Sequence, residues 1–246
     1  MRDEEYRAMF ELEERLWWYQ GMRAITISLL GKSMSLNGAK RVLDVGCGTG
    51  YSLVWLRESF KLDEVHGVDF SPHAAEFWRA RGLDTVALAS ADKLPFVENK
   101  FDLVTCFDVI YQLDEERANA AVCEIHRVLD NRGVLFIREP AYQWMRGGHD
   151  VAVGTHRRFT LGGLRRLLRS HGLEPKRSTY ANTLLFWAAA PHRLLSRLTG
   201  STESDVKPVA EWLNKTLEAA LRLESRMIRR LSFPFGLSAI IIAEKR

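Results

Sequence analysis

Short apolar runs recur along this chain, and each one ends in an acid, a glycine or a turn-forming residue. Such runs are too short for lone helices and are typical of buried strands, whereas segments between them, such as 115–129, have helical spacing. This alternation predicts an α/β fold, a doubly wound, mostly parallel sheet flanked by helices. The seven predicted strands lie at 42–45, 65–69, 84–88, 101–109, 132–137, 173–180 and 236–243.

Helical spacing also dominates both flanks of this alternating region. The stretch to about Leu30 is predicted as one helix, and a longer helical stretch runs from about Thr183 to Leu231 with a polar loop at Thr199–Asp205. An insertion between the last two strands usually covers the pocket of such a fold. The pattern therefore predicts an N-terminal helical cover at 1–38, a core formed by 39–182 together with 232–246, and a helical lid at 183–231.

The most informative motif follows the first predicted strand. Asp44 precedes Gly46, Gly48 and Gly50, and a helix is expected from Tyr51. Glycine suits a turn that needs positive φ or a close ligand approach. Tyr51 stands where a nicotinamide site would have its third glycine. An acid at the strand end is unfavourable beside a pyrophosphate but favourable beside a cation, so the turn suits a ligand with an ammonium and a sulfonium.

A second acid supports this interpretation of the turn. Asp69 ends the second predicted strand nineteen positions after Gly50, where a doubly wound fold places a carboxylate for ribose hydroxyls. Ser71-Pro72 is predicted to cap the next helix. With Asp92 after the third strand and the junction Glu124–Gly133, the chain resembles the class I S-adenosylmethionine-dependent methyltransferases over roughly a hundred residues.

The resemblance implies S-adenosylmethionine as cofactor and S-adenosylhomocysteine as product. It implies that Asp44 and the glycines hold the methionine part of the cofactor. It also implies that Asp69 binds the ribose and that Asp92 binds the adenine amino group. A Trp-Trp-aromatic segment closed by Arg23 is similar to one that covers the cofactor in bacterial relatives; plain docking of the helix by its tryptophans is an equal alternative. The implied cofactor-binding residues are Asp44, Gly46, Cys47, Gly48, Gly50, Asp69, Phe70, Ala91, Asp92, Phe107, Tyr19 and Arg23.

The candidates for catalysis follow the fourth and fifth strands. Tyr111 lies at the usual mouth of such a site, where relatives often have histidine. The stretch from His149 to Phe159 resembles an acid–x–His–x–Arg-Arg-aromatic stretch of the same subfamily, which makes His156 the first candidate base and His149 a further candidate. The alternative is that His156 and Arg158 only fix the loop. The spacing of His149, Asp150 and His156 matches no metal site.

The distribution of charge and the number of cysteines bear on the partners and the cellular location of the protein. Residues 1–150 hold 18 Lys+Arg against 24 Asp+Glu, a net of −6, and residues 151–246 hold 17 against 7, a net of +10. The basic half is interpreted as solvated helix faces, with peripheral membrane contact as an alternative; sequence-specific nucleic-acid binding is not expected. The chain has three cysteines without a CxxC pair, an N-terminus too acidic for a leader peptide and no apolar run long enough to span a membrane. These features predict a cytoplasmic protein, which we expect to be a monomer or a homodimer.

These observations favour methylation of a small or lipid-linked molecule, most directly at oxygen. The segment after the fourth strand, 106–112, lacks the Pro-Pro motif common in enzymes that methylate base amines or glutamine amides. Tyr51 disfavours a nicotinamide oxidoreductase. Two further alternatives stay open, a non-catalytic cofactor- or partner-binding subunit of the same fold and a methyltransferase that docks on a membrane surface.

Overall fold

The computed structural model describes residues 3–33, 41–146, 155–188, 190 and 209–246. Its helices are α1 Asp3–Leu12, α2 Trp17–Ser33, α3 Tyr51–Phe60, α4 Ala74–Ala80, α5 Glu115–Val128, α6 Leu161–Arg169 and α7 Glu211–Ile228. Its strands are β1 Arg41–Val45, β2 Glu64–Asp69, β3 Val86–Leu88, β4 Phe101–Phe107, β5 Leu129–Pro140, β6 Leu173–Ala181 and β7 Ser238–Lys245.

The seven strands form one sheet in the order β3-β2-β1-β4-β5-β7-β6. Only β7 runs antiparallel to its neighbours, so the predicted doubly wound, mostly parallel sheet is confirmed. The carboxyl ends of β1, β2, β4, β5 and β6 consequently meet at one edge. Ligands of open α/β sheets bind at this edge.

Two apolar layers cover the two faces of the sheet. One layer is supplied by α5 and α6, and the other by α2, α3, α4 and α7. The central strand β1 is buried almost throughout, which explains why Val42, Leu43 and Val45 are apolar on both faces of the sheet, with Asp44 as the buried exception.

The N-terminal cover differs from its prediction as one helix to Leu30. The structure has two helices, α1 and α2, separated by a turn at 13–16. The turn brings the Glu13 carboxylate inward to the Thr49 hydroxyl and to Arg81. At the start of α2, the Trp17 N–H donates to Asn214 Oδ1 at 2.9 Å, so a residue of α7 caps this helix. The break is therefore made by contacts distant in sequence.

The cover and the described part of the predicted lid pack against each other. A Cβ on Gly21 of α2 would collide with the Leu221 side chain of α7, so the absence of a side chain allows the two helices to approach closely. The predicted polar loop at 199–205 lies outside the described residues, and the domain boundaries stay predictions. In the part of the chain that the structure describes, no helix is long and apolar enough to cross a membrane.

Several predicted boundaries, among them those of β3, β4 and β5, differ from the structure by a few residues, and two further differences have a clear physical reason. Ser71 does not cap α4, which begins at Ala74; its N–H instead donates to Asp69 Oδ1 at 3.0 Å, because the chain turns back onto the end of β2. The last strand begins at Ser238 rather than Gly236. Gly236 passes so close to the backbone of Ala181 that a Cβ there would collide with it.

Candidate active site

The turn after β1 has the conformation that its glycines predict. Gly46, Gly48 and Gly50 have φ of 76°, 55° and 83°. The N–H groups of Gly46 and Cys47 both donate to Val68 O, at 2.8 and 2.9 Å, which ties the turn to β2. A Cβ on Gly48 would lie 2.7 Å from the Cε of Met9. Helix α1 therefore sits directly on the glycine turn.

Asp44 supplies a carboxylate beneath this turn. It is buried, and its Oδ1 accepts a hydrogen bond from the Thr105 hydroxyl at 2.6 Å while its Oδ2 accepts one from the Ser52 hydroxyl. Burial raises the pKa of Asp44 to about 6, although both hydroxyls and the charge of Arg138 oppose the rise. The carboxylate is therefore ionised at neutral pH and places a negative charge at the end of β1.

Asp69 joins the turn, the end of β2 and helix α1. Its Oδ2 accepts the Gly48 N–H at 2.9 Å, and its Oδ1 accepts the Ser71 N–H and the Tyr6 hydroxyl at 3.0 and 2.7 Å. Burial and then the charge of Asp69 raise the pKa of Tyr6, which keeps its hydroxyl protonated and donating. Asp69 is thus a shared partner of three segments, at a position for which the sequence predicted only a ligand contact.

The Trp-Trp-aromatic segment at the start of α2, which the resemblance places over the cofactor, lies beside a buried arginine. The Arg138 guanidinium lies 5.2 Å from the ring centre of Trp18 and 5.0 Å from that of Phe107. It also bonds the carboxylate of Asp108, a residue with a φ of 57°. Helix α2 is thereby joined to the ends of β4 and β5.

A cavity of about 900 Å³ runs along this edge of the sheet. It brings together most of the residues that the sequence predicted from separate motifs. Those that line it are Asp44, Gly46, Cys47, Gly48, Asp69, Phe70, Ala91, Phe107, Tyr19, Arg23 and Tyr111. Arg23 donates to the Tyr51 hydroxyl at 2.7 Å, which closes the cavity on the side of α2.

Other predicted site residues lie outside the cavity wall. Gly50 packs against Leu83 and Trp78, so its missing side chain serves packing. Asp92 accepts a hydrogen bond from Arg117 Nε at 2.7 Å, and this bond lowers the pKa of its carboxyl; Arg117 itself lines the cavity.

The predicted catalytic stretch is only partly described. The His156 side chain is exposed and does not line the cavity, and its backbone N–H donates to Tyr111 O at 3.0 Å. His149 and Asp150 lie outside the described residues. Among those that the structure describes, no group of three His, Cys, Asp or Glu side chains is arranged for a metal ion.

Glu139 is a site residue that the sequence analysis missed. Its Oε1 accepts the Ile110 N–H at 2.9 Å and its Oε2 accepts the Tyr111 N–H at 3.1 Å. Burial raises the pKa of Glu139 to about 8. Glu139 therefore fixes the loop that carries Tyr111 into the cavity. The sequence signal that could have identified Glu139 is its position as an acid at the end of an apolar strand.

The far wall of the cavity was also missed. Pro140, Ser238 and Ala181 lie in register at the ends of β5, β7 and β6, and Asn182 follows directly. The cavity is lined here by Pro140, Ser238 and Asn182 together with Met145, Leu185, Ala188, Leu217 and Leu237, which make the wall mostly apolar, and by one charged residue, Arg158. The sequence gives no local signal for it, because its members meet only through the antiparallel strand β7 and helix α7.

Comparison with known proteins finds methyltransferases that are similar to part of this chain. Residues 43–137 match the family model described as a methyltransferase domain. The ubiquinone/menaquinone biosynthesis C-methyltransferase UbiE of Citrifermentans bemidjiense is 33% identical over 117 residues, which cover 44% of this chain and 48% of that protein. The chain therefore matches about half the length of this curated relative.

Two solved structures share the fold at low identity. A methyltransferase of Haloferax volcanii, solved in complex with the Trm112 activator, has a TM-score of 0.62 at 19% identity. The match covers 98% of this chain and 93% of that protein. Phosphoethanolamine N-methyltransferase 2 of Haemonchus contortus, solved with S-adenosyl-L-methionine, has a TM-score of 0.54 at 18% identity. The match covers 84% of this chain and 49% of that protein. At these identities the likeness concerns the fold alone.

Proposed function

Since residues 43–137 match the family model described as a methyltransferase domain, we propose that the chain is a class I S-adenosylmethionine-dependent methyltransferase, which transfers a methyl group from this cofactor to a small molecule held in the cavity. The observation that carries the proposal is the division of the cavity into two ends. The end at β1 and β2 is lined by acids and glycines, and the end at β5, β7 and β6 is mostly apolar. One continuous space therefore offers a cofactor end and an acceptor end.

The cofactor end fits the charge of S-adenosylmethionine. The ligand carries an ammonium and a sulfonium, and Asp44 places an ionised carboxylate at the end of β1. Gly48 lines the cavity without a Cβ, and the end of the Met9 side chain occupies the place that a Cβ would take. A carboxylate has about four acceptor positions, and Asp69 uses three, so one remains for a ribose hydroxyl.

The proposed contacts follow from these positions. The methionine part lies against Asp44 and the glycine turn, and the ribose lies at Asp69. The adenine lies between Phe70 and Ala91. The contact of Asp92 with its amino group, which the resemblance implied, is not part of this proposal, because Asp92 is paired with Arg117 outside the cavity wall. The remaining members of the proposed site are Cys47, Phe107, Tyr19 and Arg23, while Gly50 supports the turn from outside the cavity wall.

When bound, the cofactor supplies an electrophilic methyl group on sulfur. The contribution of the chain is then to hold the acceptor in line with that group, and such positioning is worth roughly 7–11 kcal/mol in favourable cases. A base adds about 10²–10⁴-fold when the acceptor is a weakly acidic hydroxyl. Tyr111 is the proposed catalytic candidate inside the cavity; His156 and His149 remain candidates from the sequence.

The proposed acceptor is a small or lipid-linked molecule that is methylated at oxygen. The apolar wall formed by Leu185, Leu217 and Leu237 supports a largely apolar acceptor. Carbon is the second candidate atom, because the relative UbiE is named as a C-methyltransferase of ubiquinone and menaquinone biosynthesis.

The proposal is tested by calorimetric titration of the protein with S-adenosylmethionine, S-adenosylhomocysteine and NADH. We expect micromolar binding of the first two and none of NADH; binding of NADH alone would contradict the proposal. Incubation with trideuteromethyl-labelled cofactor and a prenylated hydroquinone then separates the acceptor atoms. A product methylated at oxygen and one methylated at carbon differ in their carbon-13 chemical shift.

A further inference from the structure

Asn182 stands out on the acceptor wall of the cavity. It directly follows β6, lines the cavity and is buried, with 1% of its surface exposed. Four buried side-chain atoms in the described part of the chain lack a hydrogen-bond partner, in Arg81, Thr155, Asn182 and Glu224. Among these four residues, Asn182 is the one that lines the cavity, and its unpaired atom is the amide Oδ1. Leaving such an atom unpaired is costly, so a ligand that donates a hydrogen bond to it is favoured.

The segment around Asn182 is firmly held. Oε2 of Glu224, on α7, accepts the N–H groups of Thr183 and Leu184 at 2.8 and 3.0 Å. The Thr183 hydroxyl donates to Phe235 O at 2.7 Å. Asn182 itself has a φ of 59°, a left-handed conformation that asparagine tolerates better than most residues. The backbone is therefore fixed on both sides of the unpaired amide.

The strand order places Asn182 far from the cofactor end. From β4 to β6 there are three strand spacings, which amount to about 14 Å at about 4.8 Å each. The intervening positions at this edge, Pro140 and Ser238, also line the cavity. A molecule that touches both Tyr111 and Asn182 must therefore be extended.

We propose that Asn182 is a specificity-determining residue for an extended acceptor that carries a hydroxyl or amine group at its distal end. The amide oxygen accepts a hydrogen bond from that group, while the end to be methylated lies near β4. Glu224 is a positioning residue that acts through the backbone of the 182–184 segment. This inference rests on the proposed methyl-transfer function and adds to it the shape and one functional group of the acceptor.

The test uses two probes that differ in one hydrogen-bond donor, 1-octanol and octyl methyl ether, titrated with and without S-adenosylhomocysteine. For the wild-type protein we expect octanol to bind about fivefold more tightly than the ether, the size of one ordinary hydrogen bond. Asn182→Gly tolerates the left-handed backbone and removes the amide, so this preference falls below twofold. Asn182→Asp keeps an oxygen and retains the preference.

Controls separate a specific role from a structural one. Asn119→Gly removes the same side chain on α5, away from the cavity lining, and leaves the preference unchanged. Glu224→Gln reduces the preference without changing the affinity for S-adenosylhomocysteine, whereas Glu218→Gln, on the same helix and paired with Arg222, changes neither. Thermal melts verify that each variant is folded.

Equal affinity of the wild-type protein for the two probes would overturn the inference, as would a preference that survives Asn182→Gly. Neither result depends on the cofactor titration. If S-adenosylhomocysteine itself fails to bind, the proposed function fails; if it binds and the preference for octanol is absent, only the role of Asn182 fails.

Discussion

The two ends of the cavity differ in how their buried polar groups are satisfied. At the cofactor end, Asp44 is bonded to two hydroxyls and Asp69 to two N–H groups and a hydroxyl. At the acceptor end, Asn182 Oδ1 and Glu224 Oε1 are buried without a partner among the described residues. Arg81 Nε is an exception near the glycine turn, although its other two nitrogens bind Glu13 and Glu14.

This difference indicates two modes of recognition. The acids of the cofactor end are already oriented, so a cation that binds there requires little rearrangement. The acceptor end keeps unused hydrogen-bonding capacity in an apolar wall, and this capacity selects among molecules of similar shape. We therefore expect substitutions at the cofactor end to reduce binding of the cofactor itself, and substitutions at the acceptor end to change selectivity.

The largest effect is expected from Gly48→Ala. The new Cβ would stand at a φ of 55° and 2.7 Å from Met9 Cε. We expect the affinity for S-adenosylhomocysteine to fall at least tenfold in calorimetry. Gly82→Ala is a matched control, because Gly82 has a φ of 64° but open space around it and does not line the cavity. Both variants lose about 1–3 kcal/mol of stability from backbone strain, and only the first should lose cofactor binding.

A second effect of similar size concerns pH. The pKa of Asp44 is raised to about 6 by burial, and a cationic ligand requires its ionised form. As pH falls below 6, a proton must leave before the ligand binds, so the affinity for S-adenosylhomocysteine falls by up to about tenfold per pH unit. Asp44→Asn removes this dependence and binds weakly at every pH. A wild-type affinity that stays constant from pH 7 to pH 5 would contradict this role.

A smaller effect is expected where the cover meets the lid. Gly21→Ala places a methyl group against Leu221, and overpacking of this kind costs about 1–3 kcal/mol in the free energy of unfolding. Gly31→Ala lies on the same helix with nothing within 4 Å and should be neutral or stabilising by up to about 1 kcal/mol. Chemical denaturation measures both. Equal effects would show that α2 and α7 do not pack as described.

The smallest effect is expected from Asp92→Asn. Asp92 is paired with Arg117 at 2.7 Å and does not line the cavity. Asparagine keeps an oxygen for this pair and loses only the charge, so the affinity for S-adenosylhomocysteine should change less than about fivefold. A loss of a hundredfold would place Asp92 beside the ligand and make the cofactor end more strongly acidic than we propose.

The cofactor end could be predicted because its information is local in sequence. Asp44 and the three glycines lie within seven consecutive positions, and Asp69 ends the next strand. A short apolar run, an acid and alternate glycines determine strand, turn and helix without distant partners. Gly50 shows the limit, because the motif does not reveal that this glycine serves packing against Trp78 and Leu83.

The acceptor end could not be predicted for the opposite reason. Asn182 reaches the cavity only because β7 pairs antiparallel with both β5 and β6 and because Glu224 comes from α7, 42 positions later. The break between α1 and α2 likewise depends on Glu13 meeting Thr49. His156 belongs to a recognisable stretch, yet the structure leaves its side chain exposed while its backbone bonds Tyr111.

The central claim, that the acids at the ends of β1 and β2 bind the cofactor, is tested most directly at Asp69. Calorimetric titration with S-adenosylhomocysteine compares the wild-type protein, Asp69→Ala and the matched control Asp84→Ala, whose carboxylate is exposed and outside the cavity lining. The account predicts micromolar binding to the wild-type protein and to Asp84→Ala, and none to a folded Asp69→Ala. Undiminished binding to Asp69→Ala would contradict it.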